Sequence, residues 1–179
     1  MLLKLQRYAF NVLSSFHHLI GTITVCIKAL FYFVRLYQYI HGGNTNSSRI
    51  SITAPILTTI SHGSDYIVRF YLPAKYMASP PQPNTQLNLQ FDKLKSRCVA
   101  VRKFSGFARD DNIKKEREAL MSSLDEMEST GKSAAVLEDK ISYSVAQYNA
   151  SFHLSGRLNE VWIDVLGFMA DGCPTYGSK

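Results

Sequence analysis

From Phe33 the hydrophobic positions fall into a clear helical rhythm. Phe33, Leu36, Tyr37 and Ile40 stand at i, i+3, i+4 and i+7 while Arg35, Gln38 and His41 face away, which predicts an amphipathic helix. Gly42-Gly43 ends it, and Asn44 to Ser48 supply turn residues. Residues 50–60 read as a strand in which Pro55 requires a bulge or an edge. Beyond a turn at 61–64, Tyr66, Val68, Phe70 and Leu72 alternate with Ile67, Arg69 and Tyr71, so these two segments are predicted to form a hairpin. Pro73 closes it. The stretch 79–84, SPPQPN, reads as a stiff extended connector dividing the chain into halves, because prolines donate nothing to a ladder.

Leu87, Leu89 and Phe91 alternate as a short strand, and residues 97–104 have strand character up to Ser105-Gly106. Asp110 or Asp111 can cap the following helix, whose inward stripe is Ile113, Leu120, Leu124 and Met127, with Lys114 to Glu118 as a solvated face and Gly131 as its stop. Strands are predicted at 141–148 and 158–165. Strand, helix, strand, strand in 97–165 parallels helix, strand, strand in 33–72, an internal repeat whose first half lacks its opening strand.

Residues 8–34 are almost continuously apolar, broken by Asn11, His17, His18 and Lys28. The run is readable as a marginal membrane span, a signal anchor or signal peptide, a transit sequence, or a buried core helix. The organisation expected is an apolar leader over 1–32, a folded domain over 33–168 and a tail over 169–179.

Composition narrows the class. At 179 residues, with 46% hydrophobic and 19% charged positions, the chain can bury a core without a metal or a disulfide framework. The net charge of +6 is uneven: Lys4, Arg7, Lys28, Arg35 and Arg49 precede the first acid, Asp65. The later cations alternate with Asp and Glu, which disfavours nucleic acid as a partner. Cys26, Cys98 and Cys173 are widely spaced, form no C-x-x-C pair and lack a His at ligand spacing; free buried thiols are the simplest reading, one disulfide the other.

Catalytic signatures are missing: there is no G-x-S-x-G elbow, phosphate loop or dinucleotide turn. Glu160 shares a strand face with Trp162, Leu158 and Asp164, a mixed and partly wet surface on which a structural carboxylate is the simpler expectation than an acid or base. No two of the five histidines pair at i, i+4. His41, just at a helix end, suits the dipole of a C-terminus, with axial ligation of iron as the alternative. Asn46-Ser47-Ser48 and Asn149-Ala150-Ser151 match the glycosylation pattern.

Five tracts in order, ISITAPI (50–56), FYLPAKY (70–76), CVAVRKFSGF (98–107), AQYN (146–149) and GRLNEVW (156–162), resemble a plant member of the SOUL heme-binding protein family. The resemblance spans about Val34 to Asp164. It implies an α+β fold, a distorted antiparallel β-barrel flanked by two helices and built from two βαββ halves, here with an atypical apolar N-terminal helix. It also implies non-covalent binding of heme or another tetrapyrrole, for carriage or buffering and not turnover, in an apolar groove beside the first helix. Carried over by position, Leu36, Tyr37, Ile40 and Ile52 would form the apolar wall, and Arg35 and Arg49, which flank those elements, would either meet the propionates or be ordinary solvated arginines. The family's opening strand is absent from the pattern, so residues 1–30 are expected to be either a membrane-anchoring variant or not the natural start.

Two other classes share these features. The groove would accept a partner helix, with the leader tethering a regulatory domain to a membrane, or an enzyme would act on a small molecule through Glu160.

Overall fold

A computed structural model describes residues 6–15, 25–61, 65–76, 78–129, 135–136, 142–149 and 155–166. It is α+β: β1 (Gln6–Ser15), α1 (Val25–Ile40), β2 (Ile56–Ser61), β3 (Asp65–Tyr71), β4 (Leu89–Ser105), α2 (Asp110–Ser129), β5 (Ala135–Val136), β6 (Tyr143–Gln147) and β7 (Leu158–Leu166). The chain forms two compact units, one of Phe10–Leu94 and one of Met1–Ala9 with Lys95–Lys179.

In the first unit β3 is central. It pairs antiparallel with β1, Val12 opposite Tyr71 through Ser15 opposite Val68, and with β2, Ile56 opposite Phe70 through Ser61 opposite Asp65. The predicted hairpin is present, with β2 starting just after Pro55, which has no N–H to give a ladder. Tyr66, Val68 and Phe70 are buried on the face that α1 covers, and they join Leu36, Tyr39, Ile40, Ile50, Leu72, Leu87 and Leu89 in one core.

Two expectations are corrected here. The residues read as an apolar N-terminal helix contain a strand, β1, and α1 begins at Val25, eight residues before Phe33. Among the described residues no helix is long and apolar enough to cross a membrane. Nor does the proline-rich stretch divide the chain, since the two units part within β4, at Leu94. Its carbonyls are used inside the first unit: the Tyr39 hydroxyl donates to Pro81 O at 2.8 Å, Thr45 N–H to Gln82 O at 2.8 Å, and Asn44 bridges Pro83. Prolines lack donors but keep acceptors.

The second unit is centred on β7. It pairs antiparallel with β4, Val99 opposite Asp164 through Ser105 opposite Leu158, with β6, Ser144 opposite Trp162 through Gln147 opposite Asn159, and at its end with β5. The short strand and the second strand read from sequence are one 17-residue strand, β4. Asp110 and Asp111 lie in the first turn of α2, where carboxylates favour the helix dipole, and Leu120 and Leu124 are its buried positions. Glu116 and Arg117 are less solvated than expected, because Glu116 pairs with Arg102 and the Arg117 guanidinium lies 4.9 Å from the Tyr143 ring centre. Cys98, 2% exposed on β4, is disulfide-bonded, which replaces the free-thiol reading.

Within each unit the ladder is open at its edges. The distorted barrel is therefore not a property of either unit's own pairing, and the fold class stands as two helices on antiparallel strands.

Candidate functional site

The C-terminus of α1 is built by its sequence. Gly42 has φ of +110°, its N–H donates to Tyr39 O at 3.3 Å, and Gly43 N–H donates to Gln38 O at 2.8 Å, the paired bonds of a Schellman motif. A Cβ on Gly43 would lie 2.8 Å from Gln38 O, so the close approach requires glycine. Asn44, 2% exposed, then organises the turn: its Nδ2 donates to Tyr39 O at 2.9 Å and Ser48 O at 2.8 Å, while its Oδ1 accepts from the N–H groups of Asn46 and Ser48. The consequence is a returning chain. Ile50 N–H reaches Ile40 O at 2.8 Å and Arg49 bridges His41, so the helix end and the following segment form one rim.

Ile40, at the end of that helix, also lines a shallow apolar depression of about 10 Å³. Phe33, Leu36, Tyr37 and Ile40 of α1 form one wall; Ile52, Ile56 of β2 and Phe70 of β3 form the other. Ile52 is carried there by the irregular segment before β2, which the Thr53 hydroxyl ties to Tyr71 O. No lining residue carries a charge, and apart from the Tyr37 hydroxyl the lining side chains are wholly apolar. Tyr37 and Ile52 remain 46% and 57% exposed, an unusual amount of uncovered apolar surface side by side.

The helix is rotated from the face its periodicity predicted. Tyr39, outside the predicted stripe, is fully buried, while Tyr37, inside it, is half out. The hydrogen bond from the Tyr39 hydroxyl to Pro81 O makes this burial tolerable, and desolvation, with Tyr76 nearby, pushes its pKa up to about 12. Turned outward, Tyr37 joins an aromatic row at i, i+4 intervals. Phe33 lies 6.3 Å from it by ring centres, and His41 stacks on it at 3.9 Å and 25°.

Of the predicted residues, Leu36, Tyr37, Ile40 and Ile52 are together in one wall. Arg49 is exposed beside the His41 backbone, and no acid pairs with it among the described residues. Arg35 is half-buried, its Nη1 enclosed. His41 is exposed, and its Nδ1 lies 2.8 Å from Tyr37 O. His17, His18, His62 and His153 lie outside the described residues. Sequence reading missed Phe33, Ile56 and Phe70 as lining residues, although all three stand in the elements it identified. It also missed Asn44, whose only sequence signal was its place among turn formers.

Glu160 is far from the partly wet group expected. It is 4% exposed; its Oε2 accepts from the Tyr148 hydroxyl at 2.8 Å and Trp162 Nε1 at 2.9 Å, and Lys103 Nζ stands 3.7 Å from Oε1. Both oxygens are engaged in holding β6 and β4 to β7. Among the described residues no cluster of three His, Cys, Asp or Glu side chains is placed to hold a metal ion.

The profile of the SOUL heme-binding protein family matches residues 24–164. Heme-binding protein 2 of Mus musculus is 27% identical over 154 residues, 79% of this chain and 71% of that protein. Heme-binding protein 2 of Homo sapiens is 29% identical over 137 residues, covering 73% and 63%. The chain thus spans about two thirds of the length of these relatives. Among solved structures, the C-terminal domain of EcmrR superposes with a TM-score of 0.60 at 12% identity, over 92% of this chain and 98% of that one. SAV2435, solved with tetraphenylphosphonium, superposes with a TM-score of 0.52 at 11% identity, over 92% and 94%. At such identities the likeness is one of fold.

Proposed function

The chain belongs to the SOUL heme-binding protein family, and from this we propose that it binds heme, or a related tetrapyrrole, non-covalently in the groove between α1 and the Ile52 segment. One observation carries the placement: four residues singled out by position, Leu36, Tyr37, Ile40 and Ile52, line a single apolar concavity together. A porphyrin is a flat apolar disc with two carboxylates at one edge. The lining matches the disc in its apolar chemistry and not in size, so the disc would lie across the depression on the exposed flanks of Tyr37 and Ile52.

The charges fit as well. There is no acid before Asp65, so nothing in residues 33–61 opposes an anion, and Arg49 stands exposed on the rim. A guanidinium there offers a two-pronged donor to a propionate. Arg35, with Nη1 enclosed, is the weaker of the two predicted cations for this role. The heme, when bound, supplies an iron centre and a strong chromophore; the chain supplies the apolar wall, the rim cation and exclusion of water from one face of the disc.

Carriage or buffering follows from a half-open site, since a ligand held at the surface exchanges more easily than one enclosed. The first unit runs strand, helix, strand, strand, and the second strand, helix and three strands, of which β5 has only two residues, an order that supports the reading of two related halves. The test is titration with hemin and with metal-free protoporphyrin. A saturable red shift of the Soret band, weakened by Ile52→Asp, is expected. Capture of an apolar helix with no porphyrin bound would transfer the groove to the partner-binding reading.

A further inference from the structure

We propose that Asn46 carries an N-linked glycan, added while the chain folds in the oxidising lumen of the secretory route, independently of whether the protein binds heme. Two features of the molecule require the same lumen. Asn46-Ser47-Ser48 and Asn149-Ala150-Ser151 each place a hydroxyl two residues after an amide with no proline between, the pattern that an oligosaccharyltransferase reads. Cys98, 2% exposed on β4, is disulfide-bonded, and its partner is one of the two other cysteines, Cys26 or Cys173. Disulfides form and persist in oxidising compartments and are rare where the cell keeps thiols reduced. A buried one on a central strand has to form during folding, in the place where glycan transfer also occurs.

The fold separates the two acceptors. Asn46 is exposed in the turn after α1, as are Thr45 and Ser47 on either side. Its Oδ1 accepts from the Thr45 hydroxyl at 3.2 Å and its backbone N–H donates to Asn44 Oδ1 at 3.2 Å, while no group among the described residues takes its Nδ2, the atom that receives the sugar. The turn is held by the buried Asn44, through Tyr39 O and Ser48 O, so a glycan on Asn46 projects into water and displaces nothing the turn depends on. Asn149 is half-buried, and its Oδ1 accepts from Leu158 N–H at 2.7 Å where the chain enters β7. A glycan there would stand against closure of that loop.

The transfer is a displacement. Asn46 Nδ2 forms a bond to the anomeric carbon of an oligosaccharide carried on a polyisoprenyl diphosphate. The bond from that carbon to the diphosphate oxygen breaks, the lipid diphosphate leaves, and one amide proton passes to a base of the transferase. In the folded turn the Ser48 hydroxyl donates to Asn44 Oδ1 at 3.2 Å, so transfer precedes closure of the turn.

The test is translation of the full chain in the presence of glycosylating microsomes, followed by gel mobility with and without peptide N-glycosidase. Expected is the shift of a single glycan, removed by the glycosidase, retained in Asn149→Gln and Ser48→Thr, and lost in Asn46→Gln and Ser48→Ala. Mass spectrometry after the glycosidase should find aspartate in place of the amide at position 46. Thiol counting on the vesicle-protected product should leave one of the three cysteines free. A product with no shift, whether it stays outside the vesicles or enters them unmodified, overturns the proposal. A shift that survives Asn46→Gln and disappears in Asn149→Gln overturns it equally. Hemin titration reads a different property, so failure to bind porphyrin would count against the groove and leave the glycan in place.

Discussion

Ile52→Asp is the sharpest perturbation of the groove. Ile52 is 57% exposed, so less than half of its side chain contributes to folding and the remainder is available to a ligand. Full burial of an isoleucine is worth about 1.5–3 kcal/mol, so covering the exposed part contributes roughly 0.9–1.7 kcal/mol, or about 4- to 20-fold in Kd, which Ile52→Ala would lose. Aspartate adds the cost of desolvating a carboxylate beside the macrocycle, at least about 2 kcal/mol more, which brings the total weakening to roughly 100-fold or greater. Folding stability should change by no more than about 1 kcal/mol, checked by urea unfolding. The assay is Soret titration with hemin and protoporphyrin, with Leu158→Asp, 37% exposed in the other unit, as the control expected to titrate like the parent. A folded Ile52→Asp protein with the parent's affinity would refute the placement of the ligand in this groove. Ile40, also in the wall, is 4% exposed and unsuited to the same test, since a charge there would oppose folding itself.

Other outcomes follow from single groups. Tyr39 titrates at 10.0 when unfolded and at about 12 when folded, so its contribution is full below pH 10 and is lost as pH rises toward 12. Alkaline unfolding should cost the parent roughly 2–3 kcal/mol across that window, and Tyr39→Phe should flatten this slope while losing about 1 kcal/mol at neutral pH with the bond to Pro81 O. Asn44→Ala removes the donor to Tyr39 O and Ser48 O, and should cost about 2–4 kcal/mol in denaturant unfolding and weaken hemin binding by loosening the rim. Glu160→Leu takes away the acceptor of Tyr148 and Trp162; a loss of about 2–4 kcal/mol with unchanged hemin titration is expected, and altered binding at constant stability would reopen a ligand role for it.

What could be read from the sequence was whatever depends on local period. The 3.6-residue spacing of Leu36, Tyr37 and Ile40, the alternation of Tyr66, Val68 and Phe70, and the glycine pair after α1 each reflect geometry within one element, and all reappear in the fold. Tyr39 was misplaced because burial of a tyrosine turns on whether its hydroxyl finds a partner, and that partner, Pro81 O, is 42 residues away in a segment read as a spacer. The opening strand was hidden because β1 and the start of α1 lie in one almost continuously apolar run, in which neither period stands out against a polar background.

The amino-acid order alone therefore determined which residues are apolar, where the chain turns, the cation-rich and acid-free character of the region around the groove, and the kinship carried by its tracts. Only tertiary structure decided that α1 turns Tyr39 inward and leaves Tyr37 beside Ile52, that Asn44 ties the helix end to Ser48, and that the His41 ring stacks on Tyr37 with Nδ1 at Tyr37 O. The reason is physical: periodicity specifies a face to within a residue or so, whereas a binding surface depends on contacts between segments far apart in sequence, and those are settled by packing and by which buried polar groups find partners.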